Sequence, residues 1–221
     1  MSADVDAIEV ERPLRADAAR NRELILETAA EVFAEHGLEA GYDEIARRAG
    51  IGVGTVYRRF PQRSELIQAL FESRIAELVE VAERSAALPD AWEGLVSFLE
   101  WAIARQVLDK GLKEVMVRTI SGEAHQAIGR ERLGPILERM VTRAQADGTL
   151  RSDIAPTDIG MNVMVISSMT TKAQPDLWRR YLALFVEGLR ARPDQQPLPL
   201  VAPGDDAMHD LMCNLQNRDL D

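Results

Sequence analysis

The stretch "RAGIGVGTVYRRFPQRSEL", residues 48–66, gathers four arginines and a tyrosine around a glycine-rich turn. Before it, "YDEIARRAG" has the pattern of a short helix, with Ile45 and Ala49 on one side and Gly50 as a left-handed stop. A second short helix is expected from about Val53 to Phe60, because Pro61 disfavours helical backbone in the residue before it. Two short helices about such a turn have helix-turn-helix proportions. At about 100° per residue, Val53, Val56 and Phe60 cluster on one side of the second helix. Gly54, Thr55, Arg58 and Arg59 take the other side, with Tyr57 at the boundary. A small, hydroxylated, cationic face suits entry into a DNA major groove. Gly54 admits close backbone approach, Thr55 offers a methyl or a hydroxyl, and an arginine can grip guanine bidentately. Tyr57 is placed for the sugar-phosphate rim.

The chain carries a net charge of −10, so this cationic face is local. Residues 12–22 and 40–63 are each +3, the second block setting Arg47, Arg48, Arg58, Arg59 and Arg63 against Asp43 and Glu44. Residues 64–221 sum to −7. Positive patches on an acidic body fit a phosphate-binding face, and Arg47 and Arg48 are assigned to phosphate. Arg12 and Arg15 precede the first helix like a basic arm, but Asp4, Asp6, Glu9 and Glu11 argue against tight groove insertion.

With 46% apolar residues, 221 positions suffice for one large or two small domains with substantial cores. No run of about 18 apolar residues is present to span a bilayer. The acidic N-terminus does not read as a signal peptide, so a soluble cytoplasmic protein with no membrane partner is expected. Cys213 stands alone and His36, His125 and His209 are scattered, so no disulfide framework, metal site or cofactor is expected.

The remaining pattern is helical, without hairpin turns or alternating β-branched residues, and the fold class is all-α. Helix one is expected from Ala16 to Gly37, with Ile25, Ala29, Val32 and Phe33 inward. A long fourth helix, Ser64 to Leu88, looks like a connector between two halves. Beyond it, 90–111 carries Trp92, Leu95, Phe98 and Leu99 on a broad apolar side, 112–120 is a shorter helix, and Pro135 should kink or interrupt 125–148. Helices opening near Pro156 and Pro175 are apolar enough to need more than one neighbour. After Pro193 the chain reads as a flexible tail, with a turn or two of helix in "MHDLMCNLQN".

The segment "LILETAAEVFAEHGLEAGYDEIARRAGIGVGTVYRRFPQRSELIQAL", residues 24–70, resembles the DNA-binding region of TetR-family transcriptional regulators, and "IARRAGIGVGTVYRRFP" is similar to that family's signature. The resemblance implies that Thr55, Tyr57 and Arg58 contact an operator, with Gly52, Val53, Gly54 and Arg59 nearby and Tyr42 added from the preceding helix. Arg63, where the family usually has lysine, would clamp a phosphate. Two departures stand out: Gly41 occupies a position usually held by a Ser or Thr cap, and Gln62 replaces a better capping residue. The implied organisation is an arm at 1–15, a helix-turn-helix domain at 16–66, an effector-binding and dimerisation domain at 67–192, and a tail at 193–221.

One short recognition helix reads too few base pairs for useful discrimination, so a symmetric pair on a palindromic double-stranded operator is required. The resemblance implies a homodimer built from the two terminal helices, with Val165, Trp178, Tyr181, Leu182 and Phe185 as candidate interface residues. It also implies a small-molecule pocket in the helical body. Trp92, Phe98, Trp101, Met116, Met140, Met161, Met164 and Met169 offer flat or adaptable apolar surface there, and Arg118, Asn162, Ser167 and Thr170 offer polar orientation. A ligand-responsive repressor is the expectation. The alternatives are a helical interaction module without DNA binding, or an activator or corepressor-dependent regulator of the same family. An enzyme is excluded on inventory: His125 has no second ligand at metal spacing, Gly129 and Gly134 form no phosphate loop, and no nucleophile sits in a recognisable setting.

Overall fold

The computed structural model describes the backbone of residues 5–108, 123–170, 174–204 and 207, with side chains described from Arg20 onward except at 108 and 123–130. Eight helices stand among the described residues: α1 (Val5–His36), α2 (Tyr42–Ala49), α3 (Val53–Arg59), α4 (Arg63–Ala86), α5 (Ala91–Leu108), α6 (Glu123–Ala146), α7 (Pro156–Ser168) and α8 (Leu177–Leu189). The short helix expected at 112–120, and the helical turns expected after Met208, lie outside the described residues. None of the described helices is long and apolar enough to cross a membrane. The described residues divide into two compact units, with the boundary inside α4 after Ser73.

In the first unit Ile25, Ala29, Val32 and Phe33 of α1 are fully buried, as their spacing of three and four residues dictates. Gly37, at φ 77°, ends the helix by donating its N–H to the Phe33 carbonyl at 2.9 Å. α1 starts at Val5 rather than Ala16, so residues 5–15 of the stretch expected as an arm are helical.

In the second unit one core joins α4, α5, α6, α7 and α8 through Ala82, Leu95, Leu99, Ile103, Met140, Ala144, Ile159 and Leu182. α5 meets the end of α4 at Gly94, where any Cβ would fall inside the contact radius of the Ser85 carbonyl oxygen. Arg143 of α6 secures that end of α4 by donating to the carbonyls of Ala86, Leu88 (3.0 Å) and Pro89 (3.3 Å), and so occupies acceptors that a helix terminus leaves open. α6 runs unbroken through Pro135, so that proline does not interrupt it.

The tail expected to be flexible from Pro193 is tied down over its first residues. The 149–151 segment pairs with the end of α8: the Arg151 N–H donates to Leu189 and the Ala191 N–H to Thr149, both at 3.0 Å. The Asp153 carboxylate then accepts Arg151 Nε at 2.5 Å and the Leu198 N–H at 2.8 Å, while Arg151 also donates to the Gln196 carbonyl. The Arg151 guanidinium and then the Leu198 amide hold the Asp153 carboxyl down to about 2. Composition pointed to disorder, but this half-buried arginine–carboxylate pair supplies anchors that composition does not report.

Candidate nucleic-acid interface

The helix-turn-helix of the first unit is built on backbone closure. α2 ends with Gly50 at φ 66°; the Ile51 N–H donates to Ala46 at 3.0 Å and the Gly50 N–H to Arg47 at 3.4 Å. This is a Schellman stop, and it requires the left-handed residue that glycine supplies without strain. Two residues later Gly52 opens α3, and the Thr55 N–H donates to its carbonyl at 2.8 Å.

From this start the faces of α3 follow the periodicity. Val56 and Phe60 are buried, whereas Val53 and Thr55 are half-buried. Gly52, Gly54, Tyr57, Arg58 and Arg59 are exposed, and a Cβ added at Gly52 or Gly54 would meet nothing within 4 Å. Among the described residues no carboxylate pairs with Arg58 or Arg59. The protein therefore presents two bare guanidinium groups beside an exposed backbone turn.

Tyr57 is 54% exposed, yet its ring rests on Tyr42 with centroids 4.8 Å apart and planes tilted by 59°. Tyr42 itself is buried, which corrects its assignment to the DNA face: it is the platform under Tyr57. Its hydroxyl is buried without a hydrogen-bond partner, and burial pushes the phenol above its ordinary range.

Three more arginines assigned to phosphate are otherwise engaged. Arg48 donates Nη1 and Nη2 to Glu35 of α1 at 2.8 and 2.5 Å and Nε to Glu44 at 2.7 Å; Nη2 also lies 3.1 Å from His36 Nε2. It pins α2 to α1 and is not a free phosphate ligand. Arg47, although exposed, grips both oxygens of the same Glu44 at 2.7 and 2.9 Å. Hydrogen bonds from Arg47 and then Arg48 hold the Glu44 carboxyl down to about 2, and Arg48 lowers Glu35 as well. Arg63 donates to the Ala40 carbonyl at 2.7 Å, with its guanidinium 5.8 Å over the Phe33 ring. The local charge count balanced Glu44 but not Glu35, which lies 13 residues from Arg48 and outside the counted block, and a charge sum does not register the Ala40 carbonyl that engages Arg63. Gly41 caps α2 with no side-chain hydrogen bond.

In the second unit the pocket candidates separate. Trp92, Phe98 and Met140 are buried members of the core, while Trp101, Met161, Asn162 and Met164 are half-buried and Met169 is exposed just past α7. Asn162 donates to the Asp158 carbonyl on its own helix at 2.9 Å, and the Ser167 hydroxyl donates to Gln106 Oε1 at 2.9 Å. Thr170 is half-buried with a hydroxyl that lacks a partner. Met116 and Arg118 lie outside the described residues. Of the interface candidates, Trp178 and Leu182 are buried within the unit and Phe185 is half-buried against the core, so the first two cannot form an outer apolar surface. On and just past α7 and α8 the large apolar residues left exposed are Val165, Met169, Tyr181 and Leu184, and Leu198, Leu200 and Val201 are exposed further along the chain.

Residues 25–70 match the model of bacterial regulatory proteins of the tetR family, and residues 90–191 match that of the SbtR-like transcriptional regulator C-terminal domain. A TetR transcription regulatory protein of Mycobacterium vanbaalenii is 33% identical, with a TM-score of 0.63 over 81% of this chain and 100% of that one. The TetR regulator SCO0520 of Streptomyces coelicolor is 31% identical, with a TM-score of 0.61 over 77% of this chain and 98% of that one. The HTH-type transcriptional regulator SrpR of Pseudomonas putida is 26% identical over 199 residues, covering 87% of this chain and 86% of that protein.

Proposed function

The chain belongs to the TetR family of bacterial transcriptional regulators, and from that membership we propose that it binds a palindromic operator as a homodimer and represses transcription until a small, largely apolar effector releases it. The observation that carries this is the outer face of α3, where Arg58 and Arg59 are exposed without carboxylate partners and Tyr57 stands propped on Tyr42. Bare guanidinium groups beside an accessible glycine turn match what the major groove asks of a reading helix. Thr55, half-buried at the same end of the helix, completes the set.

Val165, Met169, Tyr181 and Leu184 support pairing through α7 and α8, since exposed apolar side chains on two neighbouring helices gain from covering one another. A two-fold pair would set its reading helices about 34–36 Å apart, one turn of duplex. Release follows if the effector prefers the geometry that does not fit DNA by a few kcal/mol. The protein acts in the cytoplasm, where its operator is.

Selection of duplexes from a random pool by the purified protein tests this. A near-palindrome should emerge, and Tyr57→Ala and Arg58→Ala should each weaken its binding. Unchanged footprints for both variants would overturn the assignment of the reading face.

A further inference from the structure

The packing of α5 on α4 is uneven along its length. Gly94, Phe98, Trp101 and Arg105 follow one another at four, three and four residues, so they form one stripe on α5. Both ends of the stripe are referenced to α4. Gly94 abuts the Ser85 backbone with no room for a Cβ, and Arg105 Nη2 reaches Glu77 Oε2 at 3.3 Å. Accessibility rises between those ends: Phe98 is buried, Trp101 is half-buried, and the Arg105 side chain is 30% exposed. The stripe meets α4 at both ends, closed at Gly94 and partly accessible at Trp101 and Arg105. Leu78, half-buried on α4, packs against the same core.

The chemistry of the open end is cationic. Glu77 Oε2 accepts Arg74 Nη1 at 2.9 Å as well as Arg105, so one carboxylate oxygen serves two guanidinium groups, the second at a long distance. Arg105 Nε is buried and has no hydrogen-bond partner. A buried N–H that donates to nothing is costly, and only an acceptor can relieve it. Nε with an adjacent Nη forms the side-on fork that binds a carboxylate bidentately. In a chain of net charge −10 an anion needs such a local cation to be held.

We propose that α4 and α5 part beyond Phe98 to form a cleft that binds an amphipathic carboxylic acid, its apolar body against Trp101 and its carboxylate on Arg105. This deepens the effector-regulated reading above and rests on it for the link to DNA release, but not for the binding itself. The full-length protein is titrated with decanoate, phenylacetate and 2-naphthoate, each beside its primary amide, following tryptophan fluorescence and release of the selected operator. At least one acid should bind about tenfold more tightly than its amide, the ratio a charge-assisted hydrogen bond supplies. Arg105→Gln should abolish that preference, and Arg105→Lys, which keeps the charge and loses the fork, should reduce it. Acids and amides that bind equally, the absence of binding by every probe, or a preference that survives Arg105→Gln would overturn the proposal. An amide that releases the operator as well as its acid would leave effector regulation standing and remove only the carboxylate. A protein that never binds DNA would remove the regulator reading, with the acid-to-amide ratio still readable by fluorescence.

Discussion

Replacing Gly54 with alanine should stabilise the protein and weaken its grip on DNA. In the free protein the new methyl meets no atom within 4 Å, and Gly54 lies in the first turn of α3 with ordinary helical backbone. Glycine in a helix costs about 0.5–1 kcal/mol relative to alanine, so the substitution should gain up to that much. For a chain of this size the gain raises the melting temperature by roughly 1–4 °C. The open space that accepts the methyl is the space a duplex would fill. If α3 lies against base edges, a Cβ there pushes the helix outward by about the thickness of a methyl group and lengthens its contacts. Losing the equivalent of one bidentate base contact costs about 1–3 kcal/mol, a roughly 5- to 150-fold loss of operator affinity. Calorimetric melting and fluorescence anisotropy on the selected duplex measure the two effects on one sample. A variant that melts higher and binds the operator as tightly as the parent refutes close approach at Gly54, and one that melts lower refutes the open space.

Arg48→Met should weaken operator binding by loosening α2 from α1 while leaving the salt dependence unchanged, whereas Arg59→Ala should lower the slope of log affinity against log salt by about 0.9 per lost phosphate contact. Anisotropy across a salt series separates them, and an equal slope change for Arg48→Met would return that residue to the phosphate contacts. Glu44 has a folded pKa of about 2 against an ordinary 4.5, so its contribution to stability is complete above 4.5 and is lost as pH falls from there through about 2. The melting difference between the parent and Glu44→Gln should accordingly be full at neutral pH and shrink across that acid window; a difference that grows on acidification would contradict the sign. Gly94→Ala should destabilise the second unit, because the clash is with backbone that cannot step aside: about 1–3 kcal/mol of overpacking exceeds the helix-propensity gain of up to about 1 kcal/mol. Urea denaturation would show the loss, and an unchanged midpoint would mean that the helices can separate without cost.

The helix-turn-helix is legible in the sequence because its determinants are local. Gly50 is needed for a left-handed stop, and the Val56 and Phe60 spacing assigns the inner face of α3 without reference to any other element. What could not be read is what depends on distant partners. Arg48 and Arg63 read locally as available to phosphate, yet Glu35 of α1 and the Ala40 carbonyl, 13 and 23 residues away, engage them. Tyr42 could be told from a surface tyrosine only by its stacking on Tyr57. On α8 the buried residues Trp178, Leu182 and Leu189 follow one stripe at four and seven residues, which the pattern carries; that this stripe is spent on the core of its own unit is fixed by α5 and α7. Arg105 escaped notice for the same reason: an arginine late in an apolar helix gains meaning only once Glu77 is seen opposite.

The touch between Gly94 and the Ser85 carbonyl also fixes how near two backbones can come. Any side chain at 94 would act as a spacer, holding α5 off the end of α4 and unseating the layer of Leu95 and Leu99 behind it.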